Sequence, residues 1–142
     1  MGRALYIPSL WRFLITTNDY FENTLKPFAK KFGITVSQLK VIYFTHKLDK
    51  ATVGSVAKVS GFARTNTSSM CKKLTKLGFL MRKKSKSDER IVEITLTEEG
   101  KKAAEELETA MAEYESTHDV ETLKETVELL SAIIAKNERK NL

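Results

Sequence analysis

Between residues 64 and 76 nearly every side chain donates hydrogen bonds or carries positive charge: Arg64, Thr65, Asn66, Ser68, Ser69, Lys72, Lys73 and Lys76. An arginine fork matches the two acceptors on a guanine edge, and an asparagine amide matches the donor and acceptor of adenine. Lysines suit phosphates, where a point charge gives position and affinity without reading sequence. Interleaved with these residues, Thr67, Met70, Cys71, Leu74 and Leu77 recur at steps of three and four. That is the period of an amphipathic helix. One helix is therefore expected to carry an apolar stripe inward and a polar, basic stripe outward. Arg64, Thr65, Asn66 and Ser68, at its N-terminal end, would lie nearest base edges. Ser69 extends the polar stripe, and Lys72, Lys73 and Lys76 would meet phosphates.

A second basic feature follows. Residues 83 to 90, Lys-Lys-Ser-Lys-Ser-Asp-Glu-Arg, hold no apolar side chain and separate two short runs, Phe79 to Arg82 and Ile91 to Thr97. In the second run Val92, Ile94 and Leu96 alternate with Glu93 and Thr95, as in a half-buried strand. The pattern predicts a two-stranded hairpin with a long tip presenting Lys83, Lys84, Lys86 and Arg90. An arginine on a slender loop suits a minor groove, where narrow A·T-rich stretches concentrate negative potential. Asp88 would be repelled by phosphates, so it is expected to orient Arg90 within the chain.

Charge is unevenly spread. From Lys58 to Arg90 ten basic residues face two acids, whereas from Thr97 to Leu142 twelve acids face six bases. One surface is built for a polyanion and another is not. Catalytic and metal chemistry find little support. Cys71 is the single cysteine, and His46 and His118 are isolated, so neither a nucleophile–base pair nor a ligand cluster is visible. No enzyme activity, metal or cofactor is expected. With Arg3, Pro8, Ser9 and Arg12 interrupting the first apolar residues, neither a signal core nor a membrane span is expected, and the single cysteine fits a reducing, cytoplasmic setting.

These side chains need elements to hold them. Pro8 and Ser9 can open a long first helix whose apolar series includes Leu10, Leu14, Phe21, Leu25, Phe28 and Phe32, with Pro27 expected to kink or break it near Leu25 and Gly33 to end it. Thr35-Val36-Ser37-Gln38 is a capping-box pattern for a second helix running to about His46. Thr52 can cap a short third helix with Val53, Val56, Ala57 and Val59 inward, broken by Ser60-Gly61. The basic helix follows and stops at Gly78. After the hairpin, Thr97 opens a helix through Leu107, Met111 and Tyr114. A last helix bears Val120, Leu123, Val127, Leu130 and Ile134.

A helix, a tight turn at Ser60-Gly61-Phe62 and a polar-faced second helix is a helix-turn-helix arrangement. Residues 35–100 further resemble the MarR family of bacterial and archaeal transcription regulators. The resemblance rests on Ile34-Thr35-Val36-Ser37-Gln38, on Val56-Ala57 through Gly61-Phe62-Ala63-Arg64 to Leu74 and Gly78, on Asp88-Glu89-Arg90, and on Leu96-Thr97-Glu98-Glu99-Gly100. It implies a mainly α fold with a small β-hairpin wing. Residues 1–34 and 101–142 would form a dimerisation region around a winged helix-turn-helix at 35–100. It also implies a homodimeric regulator, a repressor by expectation, that binds double-stranded DNA at an inverted-repeat operator. A small aromatic effector is implied as well, with Trp11, Ile15, Tyr43 and Phe44 as candidates to line its cleft, although the same spacing suits plain core packing. Two residues depart from the family pattern. Ala63 stands where a capping serine is common, and Thr67 where an aliphatic residue is usual. The competing reading is a winged-helix module whose basic face binds RNA or a protein partner.

Overall fold

The first helix shows how far packing overrides a local signal. In the computed structural model, which describes residues 5–140, α1 (Ile7–Lys31) begins with Pro8 in its first turn and continues through Pro27. Arg3 lies outside the described residues. Of the kink or break expected near Leu25, the break is absent. Pro27 withholds one N–H from the Asn23 carbonyl, but it sits on the exposed side, while Ala29 beyond it is buried. Packing of that buried side onto the second helix outweighs one missing bond. Gly33, at φ 70°, turns the chain out of the helix in the left-handed region that favours glycine.

The next helices start where their caps predict. For α2 (Val36–Lys47) the Gln38 N–H donates to Thr35 Oγ1 at 3.1 Å, and the Thr35 N–H donates to Gln38 Oε1 at 3.0 Å. For α3 (Val53–Ser60) the Ser55 N–H donates to Thr52 Oγ1 at 3.0 Å, with the reciprocal bond to Ser55 Oγ at 2.9 Å. Each box satisfies two backbone donors that the first turn would otherwise orphan. Gly61 ends α3 at φ 76°, and α4 (Arg64–Lys76) follows after two residues. Val59 is exposed rather than inward, because Val53, Val56 and Ala57 already fill the buried side of this short helix.

Strands β1 (Leu80–Lys84) and β2 (Val92–Leu96) pair antiparallel, with Leu80 opposite Leu96, Arg82 opposite Ile94 and Lys84 opposite Val92. The Ile94 N–H donates at 3.0 Å to the carbonyl of Ala51, which ties the hairpin to the loop before α3. Helices α5 (Glu98–Thr117) and α6 (Glu121–Glu138) complete the chain. The core lies under α4: Leu39, Val41 and Ile42 of α2, Val56 of α3, Cys71 and Leu74 of α4, Leu80, Ile94, and Ala103 and Ala104 of α5 are buried.

The chain divides into two compact units, Met1–Leu107 and Glu108–Leu142. The first holds every buried apolar residue named above. In the second no residue of α6 is buried. Among the described residues no helix is long and apolar enough to cross a membrane.

Candidate nucleic-acid interface

Helix α4 is held by one face. Thr67, Cys71 and Leu74 are buried in the core, whereas Arg64, Thr65, Asn66, Ser69, Lys72, Lys73 and Lys76 are exposed and Ser68 is half-buried. The two stripes read from the sequence thus occupy opposite sides. The apolar stripe is one turn shorter than expected, since Leu77 is 48% exposed. It sits at the C-cap, after which Gly78, at φ 88°, turns the chain away.

The two departures from the family pattern have visible consequences. Ala63 makes no side-chain cap, so the first turn of α4 lacks a bond that typically contributes ~1 kcal/mol. Thr67 is fully buried, and its hydroxyl donates to the Ala63 carbonyl at 3.0 Å. That bond removes the penalty of an unpaired hydroxyl in an apolar stripe. Cys71 is buried one turn further on, and burial pushes its thiol up to about 11, with the Arg82 cation pulling weakly the other way. A thiol in that state is packing material at neutral pH.

The start of α4 holds one geometry that residue types alone do not suggest. A Cβ placed on Gly54, in the first turn of α3, would lie 3.8 Å from Arg64 Cζ and 3.9 Å from its Nη2. The Arg64 guanidinium therefore rests beside Gly54. No sequence signal marks Gly54 as part of the site, because only the α3–α4 crossing brings it there.

The wing differs from expectation in its first half. Lys83 and Lys84 belong to β1, not to the tip, and Lys83 stands opposite Glu93. Strand pairing carries the ladder two residues further than the apolar pattern reaches, and opposite charges across a strand pair favour that register. The tip proper, residues 85–91, presents Lys86 and Arg90, both exposed. It is internally braced. The Ser85 N–H donates to the Ile91 carbonyl at 2.8 Å, and Ser85 and Ser87 hydroxyls lie 3.0 Å apart. Asp88 accepts from the Arg90 backbone N–H at 3.0 Å, from its Nε at 3.1 Å and from its Nη2 at 3.1 Å. The side-chain bond from Arg90, and secondly its backbone bond, hold the Asp88 carboxyl below its ordinary range. Arg82, opposite Ile94, turns toward the core, and its Nε is buried without a hydrogen-bond partner.

The hairpin and α5 meet α4 at a tight joint. The Thr97 hydroxyl donates to the Gly78 carbonyl at 2.6 Å and accepts from the Gly100 N–H at 3.2 Å. A Cβ on Gly100 would stand 2.2 Å from the Phe79 carbonyl oxygen, so only glycine fits.

The effector candidates are dispersed in environment. Trp11 and Ile15 are exposed at 62% and 63%, while Tyr43 and Phe44 are half-buried and pack edge to face at 5.5 Å. The three clefts described in the chain are lined by other residues. One of them, of about 570 Å³, lies between the end of α2, the 48–51 loop, β2 and Lys101. Among the described residues no group of three or more His, Cys, Asp or Glu is placed to hold a metal ion.

Known proteins share this arrangement. The uncharacterized HTH-type transcriptional regulator YfiV of Bacillus subtilis (strain 168) is 33% identical over 101 residues, which are 71% of this chain and 58% of YfiV. The chain thus spans little more than half the length of that curated relative. Reduced AbfR bound to DNA, a Staphylococcus epidermidis protein, superposes with a TM-score of 0.77 at 23% identity, covering 92% of each chain. A mutant MarR from E. coli complexed with operator DNA gives 0.75 at 20% identity, covering 92% of this chain and 99% of that one. Both likenesses establish the winged helix-turn-helix fold that the MarR resemblance implied. A family model described as "Transcriptional regulator SarA/Rot" matches residues 23–107, which takes in the last turns of α1, the whole helix-turn-helix, the wing and the Thr97–Gly100 joint. On that match, over more than half its length, the chain belongs to the SarA/Rot family of transcriptional regulators.

Proposed function

We propose that this regulator binds duplex DNA as a homodimer, laying the exposed face of α4 in the major groove and the wing tip beside it. The observation that carries the reading is the division of α4 into a buried stripe and an opposite face made wholly of polar and basic side chains. A helix docked by one face onto its own core can present the other along a groove. Asn66, Thr65, Ser68 and Ser69 supply base-edge contacts, and Lys72, Lys73 and Lys76 supply phosphate contacts. Arg90, steered by Asp88, reaches the adjacent minor groove, with Lys86 on the backbone beside it. Lys83 and Lys84 add charge along the strand.

Exposed apolar side chains on α1 (Ile7, Trp11, Phe13, Leu14) and α6 (Val127, Leu129, Ile133, Ile134) support the homodimer. A two-lobed protein reads two half-sites, so the operator is an inverted repeat with centres about one helical turn apart. Repression by occupancy in the cytoplasm, and release by a small aromatic effector seated against Trp11, Ile15, Tyr43 and Phe44, complete the reading.

The test is selection of duplex DNA from a random pool at physiological salt, followed by titration of the recovered site at several salt concentrations. The expected outcome is an inverted repeat whose binding falls steeply with salt. Recovery of no shared sequence would remove the operator-binding assignment. A panel of phenolic acids added to the bound complex tests the effector.

A further inference from the structure

We propose that Arg64 grips the phosphate backbone rather than a base, and that Gly54 is the residue that sets it there. The inference rests on the DNA-binding reading above and refines which residue of that site carries sequence specificity.

From the sequence, Arg64 is the strongest candidate for a guanine contact, as the first residue of the reader helix. Its side chain points elsewhere. The guanidinium lies against the first turn of α3, within ordinary contact distance of where a Gly54 side chain would begin. In a helix-turn-helix the second helix enters the groove, and the first crosses the backbone. A guanidinium resting on the first helix therefore stands where phosphates pass, outside the groove that base edges line. The first turn of α3 contains no acid to neutralise it, so the charge is left available to an incoming anion. A phosphodiester is the anion the duplex brings to that point, and it accepts the guanidinium fork in two parallel bonds. A side chain larger than alanine at residue 54 would occupy the space in which the guanidinium rests. With Arg64 committed to backbone, discrimination at this end of α4 falls to Thr65, Asn66 and Ser69, which are all exposed.

The experiment uses the full chain and the duplex recovered by the wild type, alongside a scrambled duplex of equal length. Binding is measured across a salt series for the wild type and for Arg64→Ala, Arg64→Lys, Gly54→Leu and Asn66→Ala, with thermal unfolding to establish that each variant folds. Arg64→Ala should weaken both duplexes by the same factor, roughly tenfold for removal of a charge-assisted hydrogen bond. It should also lower the salt slope by about 0.9 for each phosphate the protein no longer neutralises. A fresh selection with this variant should return the wild-type site. Arg64→Lys, keeping a point charge, should retain most of the wild-type slope. Gly54→Leu should reproduce the uniform weakening of Arg64→Ala. Asn66→Ala should instead weaken the selected duplex and spare the scrambled one.

The inference is overturned if Arg64→Ala weakens only the selected duplex and fresh selection loses its preference at one base pair. It is overturned equally if a folded Gly54→Leu variant binds like the wild type. A wild type that binds no duplex would instead bring down the DNA-binding reading itself, and this inference with it.

Discussion

Asp88 and Arg90 stand two residues apart on an exposed loop, and the pair fixes where the wing's outermost charge points. Three hydrogen bonds from one residue to one carboxylate make the Arg90 rotamer a property of the loop. Because the folded carboxyl titrates below its ordinary value of 3.8, the pairing contributes above that value and is lost as pH falls through the lower folded one. The Asp88 carboxyl resonance should accordingly titrate below 3.8 by NMR, and Arg90→Ala should move its midpoint upward, leaving only the backbone N–H bond. A midpoint unmoved by Arg90→Ala would show that the guanidinium does not hold the carboxylate in solution. Cys71 titrates in the opposite sense. Its thiol ionises near 9.0 when unfolded and near 11 when folded. The stabilising contribution of the neutral thiol is therefore complete below 9.0 and is lost as pH rises through 11. Native Cys71 should react with a soluble disulfide reagent only as fast as the chain opens, and at full speed in denaturant. Fast native labelling at neutral pH would mean that the helix exposes the thiol.

Elements are legible where a local chemical device defines them. Thr35 with Gln38 announces the start of α2, and Thr52 announces α3 through its hydroxyl. The alternation of Val92, Ile94 and Leu96 announces a strand with one buried side. Legibility ends where a distant neighbour decides. Pro27 reads as a break because its cost is local and the packing of Ala29 is not. Lys83 and Lys84 read as loop because nothing in their own types shows that Glu93 and Val92 lie opposite. Within the candidate site, residue types and the exposed side of α4 are readable. The direction of the Arg64 side chain is not, since it depends on how α3 crosses α4. The Thr97–Gly100 joint falls between these cases: its motif is visible in sequence, but its tightness appears only in the 2.2 Å approach of a Gly100 Cβ to the Phe79 carbonyl. Gly100→Ala must push backbone apart, so it should destabilise by about 2 kcal/mol. A fall of roughly 5–10 °C in the unfolding midpoint would follow. An unchanged midpoint would mean the joint can open without penalty.

At the scale of the molecule, most of the exposed large apolar residues lie on the two terminal helices, α1 and α6. The core is complete by Leu107, and α6 buries nothing although Leu123, Val127, Leu129, Ile133 and Ile134 lie along it. Helices in water draw most of their stability from packing an apolar face. An 18-residue helix with five exposed aliphatic side chains needs something to cover them. On the homodimer proposed above, a second copy of the chain would supply an identical face, since closed two-fold pairing is the commonest way such a face is buried. Removing residues 120–142 should then leave a folded winged-helix lobe, since none of the described residues among them is buried, but one that sediments as a monomer. Its binding to a single half-site should survive, while tight binding to the full inverted repeat should be lost because two lobes are no longer tethered. Sedimentation and titration of both duplexes separate the possibilities. If the truncated chain stays dimeric with full operator affinity, the dimer contact lies elsewhere, and the exposed side chains of α1 become the place to look for it. If it unfolds, α6 supports the lobe directly, and pairing must be tested instead by Val127→Asp in the full chain.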